Sequence, residues 1–370
     1  MVNEERLLKE FCELVSIDSV SFREREMADT LKRKLTELGL EVHEDKAGER
    51  YNGNAGNVFA RKKGTLPGTP LLFSAHMDTV EPGTGKRAIV KEDGRIISAG
   101  TILGADDVSG IAAILEALKV LEENSLLHRD IELLFPVAEE VYIKGTDVFD
   151  FTKVKAGEGY VLDLSGKVGT AALKAPAIIT FEIRVTGRAA HAGFNPEDGV
   201  NAIAIAAEAI TGIKQGRIDE DTTVNIGLIS GGTATNIVSE RVVIKGEIRS
   251  YSQQEAELRI KNIKDRFEKT AIKYRGDIAF ISKVDAAAYR VGQTEPVVKR
   301  FLNACGELGY ETELTATFGG SDNNNFLKHG IRGIVLASGM NQVHSAEEYS
   351  DIKELVKCTN ILLKLMTSRL

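Results

Sequence analysis

Five short stretches of the chain set an imidazole or a carboxylate beside glycine or at the end of an apolar run. Ser74-Ala-His-Met-Asp-Thr-Val80 offers His76 and Asp78, and Gly104-Ala-Asp-Asp-Val-Ser-Gly110 offers Asp106 and Asp107. Pro136-Val-Ala-Glu-Glu-Val141 offers Glu139 and Glu140, Val161-Leu-Asp-Leu164 offers Asp163, and the segment after Gly339 leads to His344. Such groups gathered in one crevice repel one another and lose hydration unless a cation compensates them. Nitrogen and oxygen donors without a thiolate suit Zn2+, or Mn2+ and Co2+ in the same geometry. Two ions roughly 3.5–4 Å apart need a shared ligand. A carboxylate, having two oxygens, can serve as one; an imidazole ordinarily cannot. Each stretch alone also has a plainer reading. His-x-Asp is usually a polar loop, an acid pair is often a helix cap or a solvated face, and Glu158 and Asp147 compete with Asp163 on spacing. What favours a metal site is that all five fall at matching places.

Those places are set by the elements around them. Residues 70–75, 131–137 and 159–163 are nearly continuous apolar runs, as expected of strands covered on both faces. Between the first two, residues 109–121 put Ile111, Leu115 and Leu118 on one helical face, and residues 5–14 and 22–38 also carry helical spacing. Strand, helix, strand in that order predicts a mostly parallel α/β sheet, whose sites form beyond the carboxyl ends of its strands. The pattern changes after about residue 175. Ile179, Phe181, Ile183 and Val185 alternate as in a half-buried antiparallel strand; a helix over 198–213, strands over 223–229 and 241–249, a helix over 252–270 and a strand over 277–282 follow. This β-α-β-β-α-β order is the split, ferredoxin-like α+β arrangement. A buried strand over 331–337 returns the chain to the first pattern. The expected organisation is a larger α/β domain of residues 1–175 and 290–370 with a small domain, 176–289, inserted into it.

Composition narrows the class. The 370 residues are 43% hydrophobic and 27% charged, which excludes a disordered or collagen-like chain. With 47 Lys and Arg against 54 Asp and Glu the net charge is −7, and no basic block is present, so nucleic acid is a poor partner. No apolar run approaches the roughly 20 residues needed to span a bilayer. The charged, helical opening MVNEERLLKEF does not read as a signal peptide, and Cys12, Cys305 and Cys358 are odd in number and scattered. The expectation is a cytoplasmic protein.

With these motifs in place, the chain resembles the dizinc exopeptidase family of peptidase T, carboxypeptidase G and the aminoacylases. His76-Met-Asp-Thr-Val80, Gly104-Ala-Asp-Asp107, the Glu139–Glu140 pair and His344 stand in the family's order, and Ile97-Ser-Ala-Gly-Thr-Ile-Leu-Gly-Ala-Asp-Asp107 is most similar to the peptidase T branch. The resemblance implies a phosphorylase/hydrolase-like zinc peptidase domain and an inserted lid or dimerisation domain. It implies two divalent ions, Zn2+ foremost, with Mn2+ or Co2+ possible: His76, Asp106 and Asp163 holding one, Asp106, Glu140 and His344 the other, Asp106 shared. Asp78 would hydrogen-bond His76 and fix its tautomer. Glu139 would be the general base for a water shared by the ions, and Asp107 would not be a ligand.

For the substrate, Gly187-Arg-Ala-Ala-His-Ala-Gly193 is similar to the family's histidine loop, in which His191 would serve its own or a partner subunit's site. Gly231-Gly-Thr-Ala-Thr-Asn236 and Lys245-Gly-Glu-Ile-Arg249 resemble lid segments, with Asn236 and Arg249 at the substrate's carboxylate end; a strand-end salt bridge competes for Arg249. Gly319-Gly-Ser-Asp-Asn323 looks like a substrate-binding turn containing Ser321. Val108 and Tyr142 depart from the lysine and glycine common at those places. The implied activity is a metal-dependent aminopeptidase acting on small peptides, as a homodimer through the inserted domain. Hydrolysis of N-acyl or N-succinyl amino acids on the same scaffold is the nearest alternative. A catalytically silent binding protein would have lost a ligand or Glu139, and none is lost. A nucleophilic hydrolase lacks its Gly-x-Ser-x-Gly turn.

Overall fold

The three apolar runs expected as buried strands are consecutive neighbours in an eight-stranded sheet: Ile131–Phe135, Leu71–Ser74 and Glu158–Leu164, all parallel, with Arg332–Ala337 parallel to the last. The computed structural model in which they are seen describes residues 1–369. Val58–Lys62 and Glu41–Glu44 extend one side of the sheet antiparallel; Thr170–Ala172 and Glu313–Thr315 complete the other. The four outer strands are short or carry charged residues, so their apolar signal in the sequence is weak.

The helix Ala105–Glu123 is buried along almost its whole length, with Ile111, Leu115 and Leu118 at 0% exposure. On that scale each apolar side chain stabilises the fold by about 1.5–3 kcal/mol. It approaches the sheet so closely that a Cβ at Gly110 would lie 2.5 Å from Leu162 Cβ. A second cluster joins Leu72, Leu134, Val161 and Val335 to Phe149, Phe151 and Phe326. Parallel strands buried on both faces therefore read as nearly continuous apolar runs. Because they run the same way, their carboxyl ends, and the residues following them, emerge at one edge.

A four-stranded sheet of Met340–Asn341, Tyr349–Asp351, Arg95–Ile97 and Ile89–Val90 is a feature the sequence reading did not contain. The connection between its first two strands carries His344.

The chain divides into two compact units, Met1–Lys174 with the chain from Arg290 onward, and Ala175–Tyr289. The second is an antiparallel sheet in which Thr222–Gly231, Arg241–Ser250, Ala177–Thr186 and Asp277–Ala286 are successive neighbours. Ile179, Phe181, Ile183 and Val185 point from it into a core with the helices Ala202–Thr211 and Gln253–Tyr274. The first helix begins at Ala202 and not at 198, because the Asn201 side chain accepts the N–H groups of Ile203 and Ala204 at 2.9 and 3.2 Å. Similarly, the helix expected from residue 22 begins at Arg25, since Phe22 is left-handed with φ 71°. Among the described residues no helix is long and apolar enough to cross a membrane.

Candidate metal centre

His76 lies two residues past the Leu71–Ser74 strand and is 2% exposed. Its Nε2 is 3.0 Å from Asp106 Oδ1. Its Nδ1 is 2.9 Å from the backbone oxygen of Asp78 and 3.5 Å from that residue's carboxylate. The backbone carbonyl is thus the closer partner of the ring, which places the proton on Nδ1 and leaves Nε2 as the donor atom. The Asp78 carboxylate is occupied elsewhere: it accepts the N–H groups of Glu139 and Glu140 at 2.9 and 3.2 Å and the Ser21 hydroxyl at 2.6 Å.

Asp106 stands at the head of the long helix, where it and Asp107 have non-helical φ/ψ of −83°/103° and −116°/32°. Gly104 before it is left-handed at φ 75°, a conformation that favours glycine. The buried Glu348 carboxylate accepts both adjacent backbone N–H groups, Gly104 at 2.7 Å and Asp106 at 3.0 Å. These bonds fix Asp106 so that its two oxygens face different imidazoles: Oδ1 meets His76, and Oδ2 lies 3.3 Å from His344 Nε2. His344 is half exposed and left-handed at φ 62°, and its Nε2 is also 3.0 Å from Glu140. Two sets of donor atoms cluster tightly, His76 with Asp106 and Glu140, and His76 with Glu139 and Asp163, each within 4.8 Å. Asp107 offers Oδ2 to the His76 N–H at 3.3 Å, and its Oδ1 is buried without a partner.

The spacing competitors of Asp163 are engaged away from these clusters. Glu158, at the other end of the same strand, forms a two-pronged ion pair with Arg300 at 3.0 Å, and Asp147 lies 3.9 Å from Lys328 Nζ.

The charges explain what such a site requires. Burial, and then the facing Asp163 charge, push Glu139 well above the usual carboxylate range; burial, and then Asp106, do the same to Asp163. Glu140 is also raised, mainly by burial. Against the cost of its own burial, hydrogen bonds from His344 and His76 hold Asp106 below the usual range. Hydrogen bonds to Asp106 and Glu140 raise His344 to about 10. His76 is raised as well, its bonds to Asp106 and Asp78 outweighing burial. The protons these groups retain stand where a cation would. An all-nitrogen-and-oxygen donor set with this surplus of buried acid fits divalent ions of the zinc, manganese and cobalt type.

A pH dependence follows. Glu139, Glu140, Asp163, His76 and His344 bind protons more tightly folded than unfolded. Their stabilisation is complete below the unfolded values, roughly 4 for the acids and 6.5 for histidine, and is lost as pH rises through the folded ones. Stripped protein should therefore lose thermal stability from about pH 4 upward, while loaded protein, whose ions hold the acids ionised, should lose less. Melting temperatures of chelator-treated and loaded protein between pH 5 and 9 test this. Parallel curves would contradict it.

Ser321 and Asp322 belong to the same unit. The Ser321 hydroxyl is buried without a partner, and burial pushes Asp322 up to about 7, although the Thr146 hydroxyl donates to it at 2.5 Å. The Asp322 charge acts on Glu139. Tyr142 is left-handed at φ 72°, a conformation that favours glycine.

His191, Asn236 and Arg249 lie in the second unit. His191 Nδ1 accepts the N–H groups of Gly193 and Phe194 at 3.1 and 3.2 Å, which leaves Nε2 to donate. The Asn236 carbonyl accepts the Ala192 N–H at 3.0 Å, which brings the two loops together. Arg249 pairs with Glu247 of its own strand at 2.8 Å, the salt-bridge arrangement foreseen as its competitor. The sequence reading missed Glu348 and Glu24. Glu24, the N-cap of the Arg25–Glu37 helix, resembles an ordinary first-turn acid by spacing.

Comparison with known proteins follows the same division. Residues 175–275 match the peptidase dimerisation domain family, and residues 57–167 match peptidase family M28. The uncharacterised protein YqjE of Bacillus subtilis is 40% identical over 367 residues, 99% of each chain. The solved aminopeptidase PepT of Bacillus cereus shares 38% identity with a TM-score of 0.90, covering 99% of this chain and 98% of that one. A Staphylococcus aureus tripeptidase shares 36% with a TM-score of 0.95 and the same coverage.

Proposed function

The chain belongs to the M20 family of metallopeptidases, among its peptidase T-like members, and is a metal-dependent exopeptidase; from that premise we propose that it is an aminopeptidase for small peptides. The observation that carries the reading is Asp106, whose oxygens face His76 at 3.0 Å and His344 at 3.3 Å. That placement supports a carboxylate shared between two ions, Zn2+ foremost, with His76 and Asp163 completing one position and Glu140 and His344 the other. Bound there, the ions would supply Lewis acidity to the scissile carbonyl and acidify the attacking water.

The remaining steps belong to the chain. Glu139 takes the proton of the attacking water and passes it to the leaving amine. Asp78 anchors the Glu139–Glu140 turn through its carboxylate and the His76 ring through its carbonyl. Ser321, with a buried and unpaired hydroxyl, is a substrate contact. In the second unit, Asn236 and Arg249 are the residues proposed for the substrate's carboxylate end, and His191, with Nε2 to donate, is proposed to hold the oxyanion or the substrate carboxylate in its own or a partner subunit's site. The match to a dimerisation domain, with Leu228 and Ile229 exposed on the strand Thr222–Gly231, supports a homodimer through that unit. Three free cysteines agree with a cytoplasmic setting.

The aminopeptidase and tripeptidase similarities support a substrate with a free amine. A panel of tripeptides and N-acyl amino acids, assayed with Zn2+, Mn2+ or Co2+, tests it: cleavage of the free tripeptides is expected, and turnover of only the N-acyl compounds would overturn the reading. His191→Ala should keep its metal and melting temperature while losing about 10²-fold in kcat. A fully active variant would leave His191 a loop residue.

A further inference from the structure

The turn that presents the paired glutamates is held by side chains from far along the chain. Four consecutive backbone N–H groups are each accepted by one: Val137 by Asn57 Oδ1 at 3.1 Å, Ala138 by Glu24 Oε1 at 3.0 Å, Glu139 by Asp78 Oδ1 at 2.9 Å and Glu140 by Asp78 Oδ2 at 3.2 Å. All three acceptor residues are fully buried. Glu24 is itself fixed, since the same Oε1 accepts the Phe22 N–H at 2.8 Å.

Ala138 lies in the middle of this turn. Its φ of 52° is left-handed, a conformation that a residue with a side chain keeps only when its surroundings impose it. The N–H that Glu24 accepts is the N–H of this residue. The following residue, Glu139, is thereby turned into the cluster with His76 and Asp163. Meanwhile Glu24 Oε2 is buried with no hydrogen-bond partner. A buried carboxyl that uses only one of its oxygens carries a desolvation cost and calls for an explanation.

We infer that Glu24 is a positioning residue for Glu139. It touches neither substrate nor reacting atoms; it holds Ala138 left-handed, and that conformation aims the Glu139 carboxylate. The inference rests on the reading of Glu139 as the base.

The loaded enzyme is compared as wild type, Glu24→Ala, Glu24→Gln and Glu24→Asp. Glutamine retains the acceptor at Oε1 and sets an amide nitrogen at the unpartnered atom, whereas aspartate withdraws the acceptor by one methylene. Alanine should lower kcat about 10–100-fold with KM and bound metal at wild-type levels, and glutamine should recover most of that loss. In stripped protein, the amides of 138–140 should exchange faster in the alanine variant. Wild-type kcat in Glu24→Ala, or a loss confined to KM or to metal content, would overturn the inference. Should the alanine variant not fold, equal kcat in the glutamine and aspartate variants would do so. Glu139→Ala is run in parallel. If it stays active the base reading itself fails; if it is inactive while Glu24→Ala is unimpaired, only the role given to Glu24 fails.

Discussion

Asp106→Ala should release both ions together and abolish turnover. One carboxylate lies 3.0 Å from His76 on one oxygen and 3.3 Å from His344 on the other. Removing it takes an anionic donor from each position and also the charge that offsets two cations held close together. Removing even the residues behind a metal ligand costs about 10–100-fold in affinity, so loss of a shared ligand should exceed about 10²-fold at both positions. His344→Ala is the contrasting variant: it lacks a donor on one side only and should retain the ion on the His76 side. Metal per chain after dialysis, measured alongside the melting temperature, separates the two. A full complement of two ions in Asp106→Ala would contradict the sharing. One ion kept at wild-type affinity would confine Asp106 to a single position.

The second large effect is expected at Glu139. Glu139→Ala should lower kcat by about 10³-fold, within the range for removal of a general base, while bound metal stays at two per chain. The pairing of these results matters because Glu139 clusters within 4.8 Å of His76 and Asp163, close enough for it to be a ligand. Kinetics alone would not distinguish a lost base from a lost ion. A fall in metal content in step with activity would show that Glu139 is a ligand and that the base lies elsewhere.

The parts of the fold legible in the sequence were those whose physics is local or periodic. Strands 71–74 and 131–135 announce themselves because burial on both faces leaves them apolar except at Ser74 and Glu132, which are buried with partners of their own, and a histidine or acid just past such a run stands out. The alternation over 177–186 is equally direct, since that sheet buries one face. The strand Glu41–Glu44 could not be seen: it is four residues long, and three are charged or imidazole. Nor could strand periodicity decide which of Glu139 and Glu140 faces which imidazole. Both lie past their strand, where the left-handed Ala138 breaks the alternation.

Supporting residues were hidden for another reason. Glu24 reaches Ala138 across 114 positions and Glu348 reaches Asp106 across 242, and nothing in the local sequence of either reports a distant partner. Asp78 illustrates both cases. Its place after the first strand marked it for the site, but only the structure shows that its carboxylate serves the Glu139 and Glu140 backbone while its carbonyl serves the His76 ring.

The central claim, that residues from five separated stretches hold a pair of ions around one aspartate, is tested most directly by anomalous diffraction from crystals of the zinc-loaded protein. Two peaks roughly 3.5–4 Å apart are expected, with the Asp106 carboxylate between them, His76 and Asp163 at one, and Glu140 and His344 at the other. A single peak, or ions held by other residues, would contradict it.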